Sequence, residues 1–232
     1  MKGQKMHGEV ETSMKTRYFM LIVHVIIINF VTWIYFGGGI ELIGYFFDFN
    51  WQPGNVTRRI ILLIFSIVFF LRLNLTSFYL LRRKVDWKET GAIIGAIVFY
   101  QLGFALSGGA QSAPIDVVDY IAIIIFFIGS FLNTGSEFQR KRFKERPENK
   151  GKLYTGGLFG FARHINYFGD TVWLIGWAIM TRNLCSAIMP IFCTLNFVFF
   201  LIPMLSKYLE EHYKEQYRKW ASKTKKFIPF VY

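Results

Sequence analysis

The sequence predicts an all-α integral membrane protein, a single domain over residues 1–232 with about six transmembrane helices and a C-terminal amphipathic helix. Two observations predict this fold class. Of the 232 residues, 53% are hydrophobic and 19% are aromatic, which is more apolar than a soluble domain of this length. Long apolar runs also recur along the chain, and about 20 such residues in a helix cross the ~30 Å hydrocarbon core of a bilayer.

Hydropathy divides the chain into six predicted spans, of which the third and fifth are short enough to be tilted, re-entrant or partly unwound. A polar segment, residues 1–16, precedes them without the pattern of a cleaved signal peptide, so the first apolar run is expected to remain as a spanning helix. The predicted spans are residues 18–36, 60–81, 92–106, 117–132, 167–180 and 187–204.

The positive charges predict the orientation. When the spans alternate between the two sides, twenty-three of the 27 Lys and Arg residues fall on one side, only Arg58, Arg59 and Arg182 fall on the other, and Arg72 lies within a span. This distribution predicts that both termini and the charged loops are cytosolic, in a bacterial inner membrane or the endoplasmic reticulum of a eukaryote. Because the net charge of +12 is concentrated beside the membrane, we expect an anionic lipid or a phosphorylated ligand and no nucleic acid.

The densest group of polar side chains follows a glycine-rich stretch, residues 156–160, at the cytosolic mouth of the fifth predicted span. It comprises Arg163, His164, Asn166, Tyr167 and Asp170. Arg holds a phosphate through two hydrogen bonds, Asn matches a carboxamide, and Asp accepts from a ribose hydroxyl or an Arg. An equally simple interpretation is that Arg163 and His164 snorkel to the interface while Asp170 caps a helix.

A second group precedes it at helical spacing: Asn133, Glu137, Arg140 and Lys144 share one predicted helix face. A solvated charged face or a grip on anionic lipid heads would look the same, although lipid binding needs neither Asn133 nor Glu137. In the tail, Tyr213, Tyr217 and Trp220 recur at helical spacing, which predicts an amphipathic helix on the membrane face.

Other polar residues carry weaker signals. Arg72 within a span is either functional or one half of a buried ion pair, and His24 in the first span is isolated. His212 follows two glutamates, but adjacent side chains on a helix point in different directions, so we expect no metal site. Cys185 and Cys193 lie eight residues apart, a spacing that fits neither a zinc site nor a redox pair.

These motifs together, in order over residues 71–232, resemble the steroid 5-alpha-reductase-like membrane proteins. The chain is most similar to the DUF1295 group, and also to the C-terminal half of the C14 and C7 sterol reductases. The resemblance rests on Arg72, Arg82 and Asp86, on Gln139-Arg140-Lys141-Arg142-Phe143-Lys144, on Arg163-His164-x-Asn166-Tyr167-x-Gly169-Asp170, and on Phe227-Ile228-Pro229-Phe230-Val231-Tyr232.

The resemblance implies an enzyme that uses NADPH to reduce a carbon–carbon double bond of a steroid-like or other lipid held in the membrane. It assigns Asn133, Glu137 and Lys144 to the sugar and phosphates of NADPH. It assigns Asn166 and Asp170 to the nicotinamide half and Tyr213 to a further contact. The full set of implied cofactor-binding residues is Asn133, Glu137, Arg140, Lys144, Lys152, Arg163, His164, Asn166, Tyr167, Asp170 and Tyr213.

The chain departs from the family pattern in two respects, and other functions stay open. Ile165 replaces the usual Pro after Arg-His, and no proton donor is identified, since Tyr79 and Tyr100 match no motif. A membrane methyltransferase that uses S-adenosylmethionine shares a similar Arg-His stretch and a later Glu-Glu pair, here Glu210-Glu211. A non-catalytic lipid-binding membrane protein with this fold is a further alternative.

Overall fold

The structure is a computed structural model that describes residues 14–81 and 83–232, so most of the predicted polar segment and Arg82 lie outside the described residues. The described chain is helical with no β-strand, which confirms the predicted all-α fold. Its helices are α1 (Met14–Phe36), α2 (Gly39–Phe46), α3 (Val56–Leu75), α4 (Trp87–Gly109), α5 (Val117–Glu145), α6 (Ile165–Thr181), α7 (Ile188–Asn196), α8 (Ile202–Tyr213) and α9 (Glu215–Ala221).

Polar residues mark where three of the long helices begin. Asn55 accepts a hydrogen bond from the backbone N–H of Arg58 at the start of α3, and Asp86 accepts one from Glu89 N–H at the start of α4. At the start of α5, Asp116 forms a capping box with Asp119. Each side chain satisfies a backbone donor that the first helical turn leaves without a partner.

Five helical segments are long and apolar enough to cross a membrane, which makes this an integral membrane protein. The first and third of these segments are α1 and α4. The second is α3 together with a π-helical turn that extends it to Leu80. The fourth is α5, and the fifth is a continuous helical segment, Leu184–Tyr213, that contains α7 and α8. The fifth predicted span forms α6, whose 17 residues are at the lower end of the length that spans a hydrocarbon core.

The bounds correct two expectations from the sequence. The third predicted span is not short, because α4 has 23 residues. The fourth predicted span does not end near residue 132. The helix α5 is 29 residues long and extends to Glu145, so the charged residues after 132 belong to the same helix. Two cations in the last turn of α5, Arg142 and Lys144, stabilise this end through the helix dipole.

The described chain divides into two compact units. The first comprises residues 14–115 and 181–183, where α1 packs against α3 and α4 around the buried side chains Val31, Leu62, Phe65, Ile97 and Phe104. The second comprises residues 116–180 and 184–232. Each unit has its own buried side chains, and the single domain predicted from the sequence stays a prediction.

Buried arginines tie the loops of the first unit to its helices. Arg58, fully buried, donates from Nη2 to the carbonyl oxygens of Ala113 and Pro114 at 3.2 Å each. Arg17 donates from Nη2 to Leu81 O and Arg83 O at 2.9 Å each. Arg58, which the sequence places among loop cations, therefore has a structural role, because it holds residues 113–114 against α3.

Glycines bring α5 and α6 of the second unit into close contact. A Cβ atom at Gly169 would lie 2.5 Å from the backbone nitrogen of Asn133, and one at Gly176 would lie 2.5 Å from that of Phe126. Small residues at such a crossing allow two membrane helices to approach at backbone distance. The close approach places the polar face of α5 beside the first turn of α6.

The tail forms two helices where the sequence predicts one. The chain breaks between α8 and α9 at Lys214, which has a positive φ of 46°. Tyr213, Tyr217 and Trp220 are nevertheless buried on one side, as their spacing predicts. They pack against Phe159, Ala162 and Ile165, which lie in and just after the glycine-rich stretch. This aromatic face therefore contacts protein and not lipid.

Candidate functional site

Four of the predicted site residues form one hydrogen-bonded network where α5 passes the first turn of α6. The side-chain amide of Asn166 donates from Nδ2 to Oε1 of Glu137 at 2.9 Å. Glu137 also accepts from Nη2 of Arg140, one turn further along α5. In the other direction, Asn133 Nδ2 donates to the backbone oxygen of Asn166 at 3.2 Å. The sequence separation between Asn133 and Asn166 is 33 residues, so α5–α6 packing creates this network.

Within this network Asn166 has one half of its amide engaged and one half available. Its side chain is buried, and its donor side is held by Glu137. Its Oδ1 accepts no hydrogen bond from any residue that the structure describes. A primary amide in this state offers an acceptor to a ligand N–H, and a carboxylate partner fixes which end of the amide points outward.

Lys144, Lys152 and Tyr213 form a second group at the end of α5. Lys144 donates from Nζ to the hydroxyl of Tyr213 at 2.9 Å and to the backbone oxygen of Lys152. Its ammonium group lies 4.8 Å from the centre of the Tyr213 ring, within the range of a cation–π contact. Leu153 N–H donates to Gln216 Oε1 at 2.9 Å, which also connects the segment between α5 and α6 to the tail helix α9.

Arg163 lies between the glycine-rich stretch and the tail. Its Nη1 donates to the Tyr217 hydroxyl at 3.0 Å, and its guanidinium lies 5.7 Å from the Tyr217 ring centre. Its backbone N–H donates to Lys225 O at 2.8 Å. The Nε atom of Arg163 is buried without a hydrogen-bond partner among the described residues.

His164 is buried and neutral. Its Nε2 is 3.1 Å from Ser206 Oγ, and its Nδ1 has no partner among the described residues. Burial, followed by the nearby charges of Arg163 and Lys226, lowers the pKa of His164 from 6.5 to about 3. At neutral pH the imidazole therefore carries no charge, which excludes it as a cationic phosphate ligand.

Tyr167 and Asp170 follow on α6. The Tyr167 ring stacks on Phe197 with centroids 4.6 Å apart and planes 13° apart, at the start of a π-helical turn, Phe197–Leu201. Asp170 Oδ1 accepts from the indole Nε1 of Trp173 at 2.8 Å. Asn166 and Asp170 are four residues apart on α6, so they share one helix face.

Several contacts of the site were not singled out by the sequence analysis. Gln139 Oε1 accepts from Leu158 N–H at 2.9 Å and so holds the glycine-rich stretch against α5. Trp220 Nε1 donates to Phe159 O at 3.2 Å on the tail side. Ser206 and Gln216 hold His164 and Leu153. Sequence spacing carries no signal for these pairs, because their partners are 19 to 63 residues away.

The described residues contain no group of three or more His, Cys, Asp or Glu side chains placed to hold a metal ion. Glu210 is exposed and pairs with Arg218, whose Nε lies 3.1 Å from Glu210 Oε1. Both residues of the Glu210-Glu211 pair of the methyltransferase interpretation are therefore exposed.

Comparison with known proteins connects this region to a family and to two kinds of enzyme. The family described as "Protein of unknown function (DUF1295)" matches residues 91–224, which is more than half of the chain. A probable O-methyltransferase, ustE, of Ustilaginoidea virens is 33% identical over 53% of this chain and 48% of its own length. The Delta(14)-sterol reductase erg24 of Schizosaccharomyces pombe is 30% identical over 51% of this chain and 32% of its own length.

A third relative matches more of both chains. The steroid 5-alpha-reductase DET2 of Gossypium hirsutum is 27% identical over 73% of this chain and 70% of its own length. By contrast, the chain covers less than half of the length of ustE and less than half of the length of erg24. The relatives thus include both reductases and a methyltransferase.

Proposed function

The chain belongs to the DUF1295 family, and we propose that it is a membrane oxidoreductase that uses NADPH to reduce a carbon–carbon double bond of a lipid. The likeness to a sterol reductase and a steroid 5-alpha-reductase supports the reaction class. The observation that carries the proposal is the hydrogen-bonded network of Asn133, Glu137, Arg140 and Asn166.

Asn166 supports the nicotinamide end of the proposed site. Glu137 holds the donor side of its amide, so Oδ1 is left to accept a hydrogen bond from the carboxamide of the cofactor. Asp170 lies on the same face of α6, one turn further along. When bound, NADPH would supply a hydride to one carbon of the double bond, and a proton from a side chain or water would complete the reduction.

The cations of the second unit support the phosphate end. Arg140, Lys144, Lys152 and Arg163 belong to one compact unit, and NADPH carries a pyrophosphate and a 2′-phosphate. The Arg140 side chain is 42% exposed although it pairs with Glu137, so its guanidinium is accessible to a ligand while its position is fixed. Arg163 has a buried Nε without a partner among the described residues, a donor that a phosphate oxygen would satisfy.

The direct test is binding of NADPH and of S-adenosylmethionine to detergent-purified protein by calorimetry. We expect NADPH to bind, and to bind more tightly than NADH, because only NADPH has the 2′-phosphate that the cations would neutralise. Raising the salt concentration should weaken NADPH binding through screening. Equal affinity for NADPH and NADH would contradict a 2′-phosphate site.

A methyltransferase is the second candidate function, favoured by the 33% identity to a probable O-methyltransferase. S-adenosylmethionine is cationic at sulfur and has no phosphate, so it accounts for fewer of the cations of the second unit. Binding of S-adenosylmethionine together with no binding of NADPH would establish this alternative. Failure to bind either cofactor would favour a lipid-binding protein without catalysis.

A further inference from the structure

The last membrane segment, Leu184–Tyr213, is longer than a hydrocarbon core. Its 30 residues would extend about 45 Å as a regular helix, against the ~30 Å that the core requires. Its outer surface is apolar as far as Met204, which is 56% exposed, and the next exposed side chain is that of Lys207. This change from apolar to charged places Lys207 at the level of the lipid headgroups, with the rest of α8 beyond it.

A charged cleft lies at this level, at the junction of α8 and α9. It has a volume of about 510 Å³ and is lined by Lys207, Glu210, Glu211, Lys214 and Arg218. The positive φ of Lys214 ends α8 and redirects the chain into α9. The two helices are then joined by the ion pair in which Arg218 Nε lies 3.1 Å from Glu210 Oε1. All of these residues belong to the second unit, so the cleft is contained within it.

Three charges of the cleft are available to a ligand. Glu210 and Arg218 neutralise each other, whereas the side chains of Lys207, Glu211 and Lys214 form no ion pair or hydrogen bond with the described residues. Lys207 and Glu211 are four residues apart on α8 and do not pair with each other, in agreement with the weakness of a helical pair in which Lys precedes Glu. The cleft therefore presents two cations and one carboxylate.

The order of these charges along α8 matches the order of groups in a phospholipid that has an amine in its headgroup. The acyl chains would lie on the apolar surface that includes Met204, and Lys207, the first charge after it, would bind the phosphate. Glu211 follows about 6 Å further along the helix and would accept hydrogen bonds from the ammonium group. A phosphate without an amine would leave Glu211 without a partner, and Lys214 is left for a second acidic group of the headgroup.

We propose that the cleft between α8 and α9 is a binding site for an aminophospholipid, a lipid whose headgroup carries a phosphate and a primary ammonium group. Lys207 binds the phosphate and Glu211 binds the ammonium. None of the cleft residues belongs to the proposed NADPH site, so the two proposals are tested separately.

The test titrates the full chain in detergent with four phospholipids of identical acyl chains and counts the bound lipids by native mass spectrometry. Phosphatidylethanolamine and phosphatidylcholine are both neutral overall, and phosphatidylserine and phosphatidylglycerol both carry one net negative charge. In each pair only the first lipid has a primary ammonium group. We expect that lipid to bind roughly two- to fivefold more tightly than its charge-matched counterpart, which is the effect of an exposed ion pair.

Two variants separate the parts of the headgroup. Glu211→Gln should abolish the preference within both pairs, because it removes the partner of the ammonium. Lys207→Gln should weaken binding of all four lipids, since each has a phosphate, and leave the preferences unchanged. Glu215→Gln is the matched control, because Glu215 is an exposed acid at the start of α9 that does not line the cleft. It should behave like the native chain.

A competition experiment distinguishes a lipid from a soluble phosphate compound. Glycerophosphoethanolamine has the same headgroup and lacks the acyl chains, so we expect it to displace phosphatidylethanolamine only at a large excess. Displacement at equal concentration would overturn the assignment to a lipid. Equal binding within both lipid pairs, or a native preference in Glu211→Gln, would show that the cleft does not recognise an ammonium group and would overturn the proposal.

Discussion

At the scale of single residues, Asn166 and Glu137 show how the candidate site is organised. A carboxylate that accepts from both Asn166 and Arg140 orients an amide and a cation at once. Loss of the Asn166 amide would therefore remove a ligand contact and also leave Glu137 with one donor fewer. Its consequences for cofactor binding and for folding have to be measured separately.

We predict that Asn166→Ala weakens NADPH binding roughly ten- to a hundredfold. The physical reason is the ~1–3 kcal/mol cost of leaving a buried hydrogen-bonding partner unsatisfied. Calorimetry gives the affinity, and size-exclusion chromatography in detergent reports whether the variant remains a single species. Asp170→Ala is expected to act in the same direction.

Asn183→Ala is the control for an asparagine outside the site, since Asn183 donates to Ser107 O in the first unit. It should bind NADPH at the native level. Unchanged NADPH affinity in Asn166→Ala, together with aggregation, would mean that Asn166 serves the fold alone.

The buried histidine makes the second unit sensitive to acid. The pKa of His164 is about 3 in the folded chain, against about 6.5 for an unperturbed imidazole, so below pH 6.5 the unfolded state binds the additional proton. Stability should therefore be complete above pH 6.5 and decrease as the pH falls towards 3, by on the order of 2 kcal/mol at pH 5.

His164→Gln removes the titrating group and keeps a hydrogen-bonding side chain near Ser206. Its thermal midpoint should fall less than that of the native chain between pH 7 and pH 5. Identical pH profiles for the two proteins would show that His164 does not carry the acid sensitivity.

At the scale of helices, periodicity predicts what lies along one helix and says little about what crosses it. The spacing of Asn133, Glu137, Arg140 and Lys144 predicted their common face on α5. The contact of that face with Asn166 depends on the α5–α6 crossing, for which a single sequence gives no geometry. His24 looked isolated for the same reason, because Gln101, whose amide nitrogen lies 3.0 Å from His24 Nε2, is 77 residues away. The break between α8 and α9 at Lys214 could not be predicted, because no Gly or Pro stands at this position.

The glycine-mediated crossing gives the element-scale prediction. Gly176→Ala should destabilise the protein, because its Cβ would lie 2.5 Å from Phe126 N and the backbones would have to separate. Thermal unfolding in detergent measures the effect. Gly95→Ala is the matched control on a different membrane helix, since a Cβ there has no atom within 4 Å. Equal thermal midpoints for the two variants would show that the α5–α6 contact is looser than described.

At the scale of the whole molecule, composition and charge were sufficient to predict a helical membrane protein, and the count of spans depends on α6. Five segments are clearly long enough, and α6 has only 17 residues. If α6 spans, six crossings place both termini on one side, and the bias of Lys and Arg assigns that side to the cytosol. If α6 does not span, its two ends lie on the same side and this assignment fails.

The chain provides its own reporters for this question. Cys185 follows α6 and is exposed, whereas Cys193 is buried. Thr155, in the exposed loop before α6, can be replaced in a Cys185→Ser background. With a membrane-impermeant maleimide and intact cells, or sealed vesicles of known orientation, we predict that native Cys185 reacts from the non-cytosolic side. Thr155→Cys should react only from the cytosolic side, because α6 separates the two positions. Reaction of both thiols from the same side would show that α6 is re-entrant, and reversed accessibility would invert the proposed topology.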